Sequence, residues 1–152
     1  ETTLFGALFL TISYVAYRSL IPGMLRGRDL WPAWIMLGLG VLLAFAHPGP
    51  WRGFAADLDR EMDFYRGRCG PLLLIIGGLE TVAGFWIARR AAPTRPLLTG
   101  ALIGLCAGTL GLFATQFICA HENFLHLVVW HFVPVVSLVG AAGLWGQRTL
   151  RW

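Results

Sequence analysis

The apolar residues of this chain fall in long blocks rather than at every third or fourth position, the pattern of helices solvated by lipid instead of water. The blocks run Thr3 to Tyr17, Leu30 to Ala46, Pro71 to Ala88, Leu97 to Ile118 and Phe124 to Trp145, each bounded by arginine or turn residues. A bilayer core of roughly 30 Å takes about 20 helical residues. The predicted fold is therefore all-α, a polytopic transmembrane helical bundle forming one domain of about five spans. These lie at residues 2–18, 30–47, 71–88, 97–118 and 124–145, with an outer loop at 48–70 and cytoplasmic loops at 19–29 and 89–96. The first block is short for a span and the sequence opens on Glu1, so a further segment is expected before it.

Composition agrees with lipid as the solvent: 57% of residues are hydrophobic, 13% are charged and mean hydropathy is +0.66. All twelve basic side chains are arginine. Arg18, Arg26 and Arg28 share one short connection, Arg89, Arg90 and Arg95 another, and Arg148 and Arg151 the tail. The connection between the second and third spans holds Arg52, Arg60, Arg66 and Arg68, together with Asp57, Asp59, Glu61 and Asp63. Basic residues favour the cytoplasmic side, so the tail is placed in the cytoplasm and the long loop outside. That topology explains the pI near 9.5 without a polyanionic partner, and direct nucleic-acid binding is set aside. No phosphate loop, nucleotide fingerprint or hydrolase constellation is present, so no enzyme is expected.

Small residues recur at helix-packing intervals, Gly100, Gly104 and Gly108 in the fourth span and Gly140, Gly143 and Gly146 in the fifth, where they let backbones approach. Trp31, Trp34, Trp51, Trp145 and Trp152 fall near span ends, as interfacial belts do. The stretch from Asp57 to Arg68 reads either as an amphipathic surface helix or as a solvated loop.

The candidate chemistry lies in Cys and His. On this topology Cys69, Cys119, His47, His121 and His126 all sit at or near the outer ends of spans, whereas Cys106, inside a glycine-rich helix, is expected to pack. Cys69 opens the third span and Cys119 closes the fourth, so antiparallel neighbours bring both to one membrane face. Two thiols there either form a disulfide or, held reduced, take a soft metal such as zinc or copper with His121 and His126 in support. An inert structural role is the third alternative. Within the spans, Glu80 and His131 stand at similar expected depths, about 13 and 10 Å below the outer boundary, and form a candidate intramembrane pair. A haem or thiol redox protein and a small transporter are the competing functional classes. The first needs facing histidines or a Cys-x-x-Cys, the second a polar midplane site.

Several stretches also carry a resemblance: Arg68-Cys69-Gly70, the run from Ala88 to Leu97 (ARRAAPTRPL), Gly100 through Gly111, Cys119-Ala120-His121, Trp130-His131 and Leu150-Arg151-Trp152. Together they resemble the NrsF family, negative regulators of extracytoplasmic-function sigma factors in the bacterial inner membrane. The resemblance implies six spans and a cytoplasmic N-terminal segment, absent here, that holds the sigma factor at the membrane until a signal arrives; the thiols at the outer face make a metal or oxidative signal the expected one. Cys69 and Cys119 match the family's paired cysteines and become the expected sensing thiols. Ala120 departs from the proline expected after the second of them. Arg89, Arg90 and Arg95 are the expected partner-facing loop.

Overall fold

The computed structural model describes residues 2–21, 31, 35, 38, 68–119 and 124–151, and these are helical with short connections and no strand. Helix α1 (Thr2–Leu20) covers the first apolar block. Of the second block, only positions 31, 35 and 38 are described, all helical; the rest of it, the outer loop as far as residue 67 and most of the first cytoplasmic loop lie outside the described residues. Helix α2 (Cys69–Ala88) and helix α3 (Pro96–Thr115) follow, joined by the arginine loop. The last block is a composite: α4 (Phe124–Leu127), a π-helical turn (Val128–Phe132) and α5 (Val133–Thr149). Among the described residues, three helices are long and apolar enough to cross a membrane: Cys69–Ala88, Pro96–Thr115 and Leu125–Thr149.

Proline sets one boundary. Pro96 opens α3, where a missing N–H costs nothing, whereas Pro134 follows the π turn with no break in the helix. Between α2 and α3, Ala92 takes a left-handed φ of 46°, which reverses the chain. Inside the apolar helices hydroxyls are satisfied locally: Thr81 donates to the Gly77 carbonyl at 2.7 Å and Ser137 to that of Val133 at 2.8 Å.

Helix α3 is the hub. Half of its span is buried, against 22% of α2 and 28% of Leu125–Thr149, because α1, α2 and α5 all pack on it. Its small residues explain how. A Cβ on Gly104 would stand 2.6 Å from the Leu138 carbonyl oxygen, and one on Gly100 would collide with the Ala142 carbonyl oxygen. From the α5 side, a Cβ on Gly146 would lie 2.6 Å from the Pro96 carbonyl oxygen. Gly77 and Gly84 of α2 similarly admit Leu138 and Ile103, and Gly111 of α3 admits Leu73. The closeness gives dispersion contacts between backbones that lipid would otherwise fill. Helix α1 adds Val15 and Ala16 against Leu102 and Leu98.

The bundle is polar along its axis. Ser19 meets Thr99, and Leu150 packs on Phe85, Ala88 and Ile103, so the end of α1, the end of α2, the start of α3 and the end of α5 share one side. Arg18, Arg89, Arg90, Arg95, Arg148 and Arg151 therefore gather at that end. The start of α2 and the end of α3 lie at the other.

Candidate metal centre

At the end opposite this arginine cluster, four side chains meet. Cys69 is the first residue of α2, and Gly70 beside it lets the helix close on the π turn, for a Cβ there would stand 2.9 Å from Cε3 of Trp130. Cys119 lies one turn beyond α3, with its N–H donated to the Thr115 carbonyl at 2.8 Å. His126 and His131 come from α4 and the π turn; both are buried, the former completely.

The π turn makes the histidines neighbours. At 3.6 residues per turn, positions five apart on an α-helix point about 140° away from each other, whereas the wider i→i+5 turn of a π segment brings them toward the same side. Pro134 supplies the physical reason: it has no N–H for the Trp130 carbonyl, and its ring crowds that group. The Val133 N–H instead bonds the Val128 carbonyl, five residues back. The two imidazoles consequently lie with centroids 5.5 Å apart.

One ligand atom from each of Cys69, Cys119, His126 and His131 lies within 4.8 Å of the other three, and the Cys119 Sγ is 3.2 Å from Nε2 of His126. A tetrahedral ion with sulfur at about 2.3 Å and nitrogen at about 2.0–2.1 Å has ligand-to-ligand edges of roughly 3.3–3.8 Å, so a contraction of about 1 Å completes the cage. Two thiols with two imidazoles suit a soft or borderline ion. The fit has a second support: Nε2 of His131 is buried without a hydrogen-bond partner, a cost that a bound ion would remove. All three cysteines are free thiols, including Cys69 and Cys119.

The other sequence candidates fall elsewhere. His47 and His121 lie outside the described residues. Glu80 and His131 do not pair, contrary to expectation: the π turn lies level with Cys69, and Glu80 is eleven residues farther along α2, about 16 Å deeper at ~1.5 Å per residue. Instead the Cys106 thiol faces Oε1 of Glu80 at 3.7 Å and Oγ of Ser13 at 3.1 Å, so Cys106 joins a polar trio from α1, α2 and α3. Oε2 of Glu80 is buried with no partner. Arg89, Arg90 and Arg95 are exposed at the opposite end, where the Arg90 guanidinium lies 4.2 Å from the Trp86 ring centroid. Sequence reasoning missed His131 as a ligand; its signal is the five-residue spacing from His126 followed by a proline three positions on.

Comparison with known proteins identifies the family. The model of the family NrsF, described as negative regulator of sigma F, matches residues 1–152. The anti-sigma-F factor NrsF of Caulobacter vibrioides (strain NA1000 / CB15N) is 38% identical over 134 residues, covering 83% of this chain and 59% of that protein. The chain thus spans less than two thirds of this curated relative's length. No solved structure matches it. Because that family model matches residues 1–152 of it, the chain belongs to the NrsF family.

Proposed function

We propose that this chain is the membrane-embedded part of an anti-sigma factor, a regulator that holds an extracytoplasmic-function sigma factor at the bacterial inner membrane and releases it when a soft metal ion binds outside. The observation that carries the reading is the convergence of Cys69, Cys119, His126 and His131 at the end of the bundle opposite the cluster of Arg18, Arg89, Arg90, Arg95, Arg148 and Arg151. Basic residues favour the cytoplasm, which puts the C-terminus inside and the four ligands outside.

Zinc or copper is the class of ion that the ligand set suits, and binding releases the thiol protons to water. Cys69 and Cys119 terminate α2 and α3, whose other ends meet in the loop holding Arg89, Arg90 and Arg95. A contraction at the ligands therefore alters how these helices meet and reaches the partner-facing loop mechanically. The closeness of the two thiols favours a second reading, in which hydrogen peroxide accepts two electrons and the two thiol protons, its O–O bond breaking to give two waters, as Cys69 and Cys119 form a disulfide.

The test uses the full-length protein and sigma-dependent transcription under zinc, copper or hydrogen peroxide challenge. The double variant Cys69→Ser/Cys119→Ser is expected to stay repressed throughout. His126→Ala and His131→Ala are expected to lose the metal response; should they keep it while the cysteine variants lose the peroxide response, the disulfide reading replaces the metal one. A double variant that responds like the wild type overturns both.

A further inference from the structure

Beside the four ligands stands a fifth polar group, Thr115, which is completely buried at the end of α3. Its Oγ1 lies 3.0 Å from the Leu112 carbonyl oxygen and 3.3 Å from Nδ1 of His131. A hydroxyl has one proton to donate. Given to Leu112, a carbonyl that can only accept, it leaves Oγ1 as an acceptor toward His131. Nδ1 must then carry the imidazole proton, and Nε2 keeps its lone pair. That same Nε2 is the buried atom without a partner.

Resting on the metal reading above, we infer that Thr115 is the positioning residue of the site: it fixes His131 in the Nδ1–H tautomer and directs Nε2 to the ion. The chain of contacts runs from the Leu112 carbonyl through Oγ1 to Nδ1–H and ends at a free lone pair. Neutral imidazole binds a metal through one nitrogen, and the hydrogen bond on the other decides which. Because Thr115 belongs to α3 and His131 to the π turn, the bond also sets the ring orientation across a helix contact, which backbone geometry alone leaves free. The thiol of Cys119 follows Thr115 by one turn, so the end of α3 and the turn just beyond it orient one ligand and supply another.

The experiment compares wild type, Thr115→Val and Thr115→Ser of the full chain in lipid nanodiscs, using Co²⁺ as a spectroscopic probe and ¹⁵N-labelled histidine. Valine keeps the shape and removes the acceptor; serine keeps the acceptor. Thr115→Val is expected to weaken Co²⁺ binding by ~10–100-fold, the usual range for such outer partners, and Thr115→Ser to restore it. The ¹⁵N shifts of metal-free wild type are expected to show Nδ1 of His131 protonated, with the other tautomer populated in Thr115→Val. If wild type binds Co²⁺ with thiolate charge-transfer bands and Thr115→Val matches it in affinity and tautomer, the role of Thr115 is refuted and the metal site stands. If wild type binds no Co²⁺, both fail. Unchanged melting of Thr115→Val would separate lost positioning from lost folding.

Discussion

Gly104 and Gly140 look alike in the sequence, yet their surroundings differ completely. Gly104 faces the Leu138 carbonyl, whereas nothing lies within 4 Å of a Cβ placed on Gly140. Gly104→Ala is therefore expected to destabilise the bundle by about 1–3 kcal/mol through overpacking, as read from thermal unfolding in detergent. Gly140→Ala is expected to be neutral or to stabilise by up to ~1 kcal/mol, since alanine is the better helix former. Ala92 presents the reverse case. Its left-handed φ costs an L-residue about 1–2 kcal/mol, and glycine, at about 0.4–1 kcal/mol of unfolded-state entropy, removes that cost. Ala92→Gly should accordingly raise the unfolding midpoint, and an unchanged or lower midpoint would contradict the assignment. The repeat of Gly100, Gly104 and Gly108 was legible because spacing by four is a helix-face period. Gly70, Gly77 and Gly84 admit neighbours just as closely, and their spacing by seven is also a helix-face period, but one too sparse to stand out.

At the scale of elements, the π turn decides what the last helix can do. The apolar blocks forecast helices near Cys69–Ala88 and Pro96–Thr115, because span length and proline punctuation are properties of local sequence. The meeting of Cys69 and Cys119 was legible for the same reason, since both stand at the ends of adjacent antiparallel helices. His131 was not. Regular α periodicity turns it away from His126, and estimating depth from block boundaries matched it to Glu80 instead. Depth is one coordinate; the angle about the helix axis is the other, and only the extra residue of the π turn supplies it. Pro134→Ala restores a donor for the Trp130 carbonyl and should let the turn relax to α geometry. Metal affinity is then expected to fall at least about tenfold while far-UV circular dichroism shows helix content unchanged. Retained affinity would show that the histidine pairing does not depend on the proline.

For the whole molecule, six of the seven described arginines stand at the end away from the thiols and imidazoles, Arg68 beside Cys69 being the exception, and this gives the bundle a direction. A reporter fused after Trp152 should be active only in the cytoplasm and one inserted near Asp59 only outside; the opposite pattern would reverse the compartment of the site. The trio of Ser13, Glu80 and Cys106 ties α1 to α2 and α3 between the two ends, and an interhelical bond in membrane is worth about 0.6–2 kcal/mol. Ser13→Ala should thus loosen α1 by that order, measurable as a lower unfolding temperature. Finally, the four ligands come from the start of α2, the stretch after α3 and the composite last helix. An ion that needs all of them together binds the folded chain and not the unfolded one. Linkage then makes folding stability a function of the free ion concentration, gaining about 2.7 kcal/mol at a hundred times the dissociation constant. Under that linkage the bundle is a meter of ion activity rather than of total metal, and a chelator should lower its melting temperature without touching a single side chain.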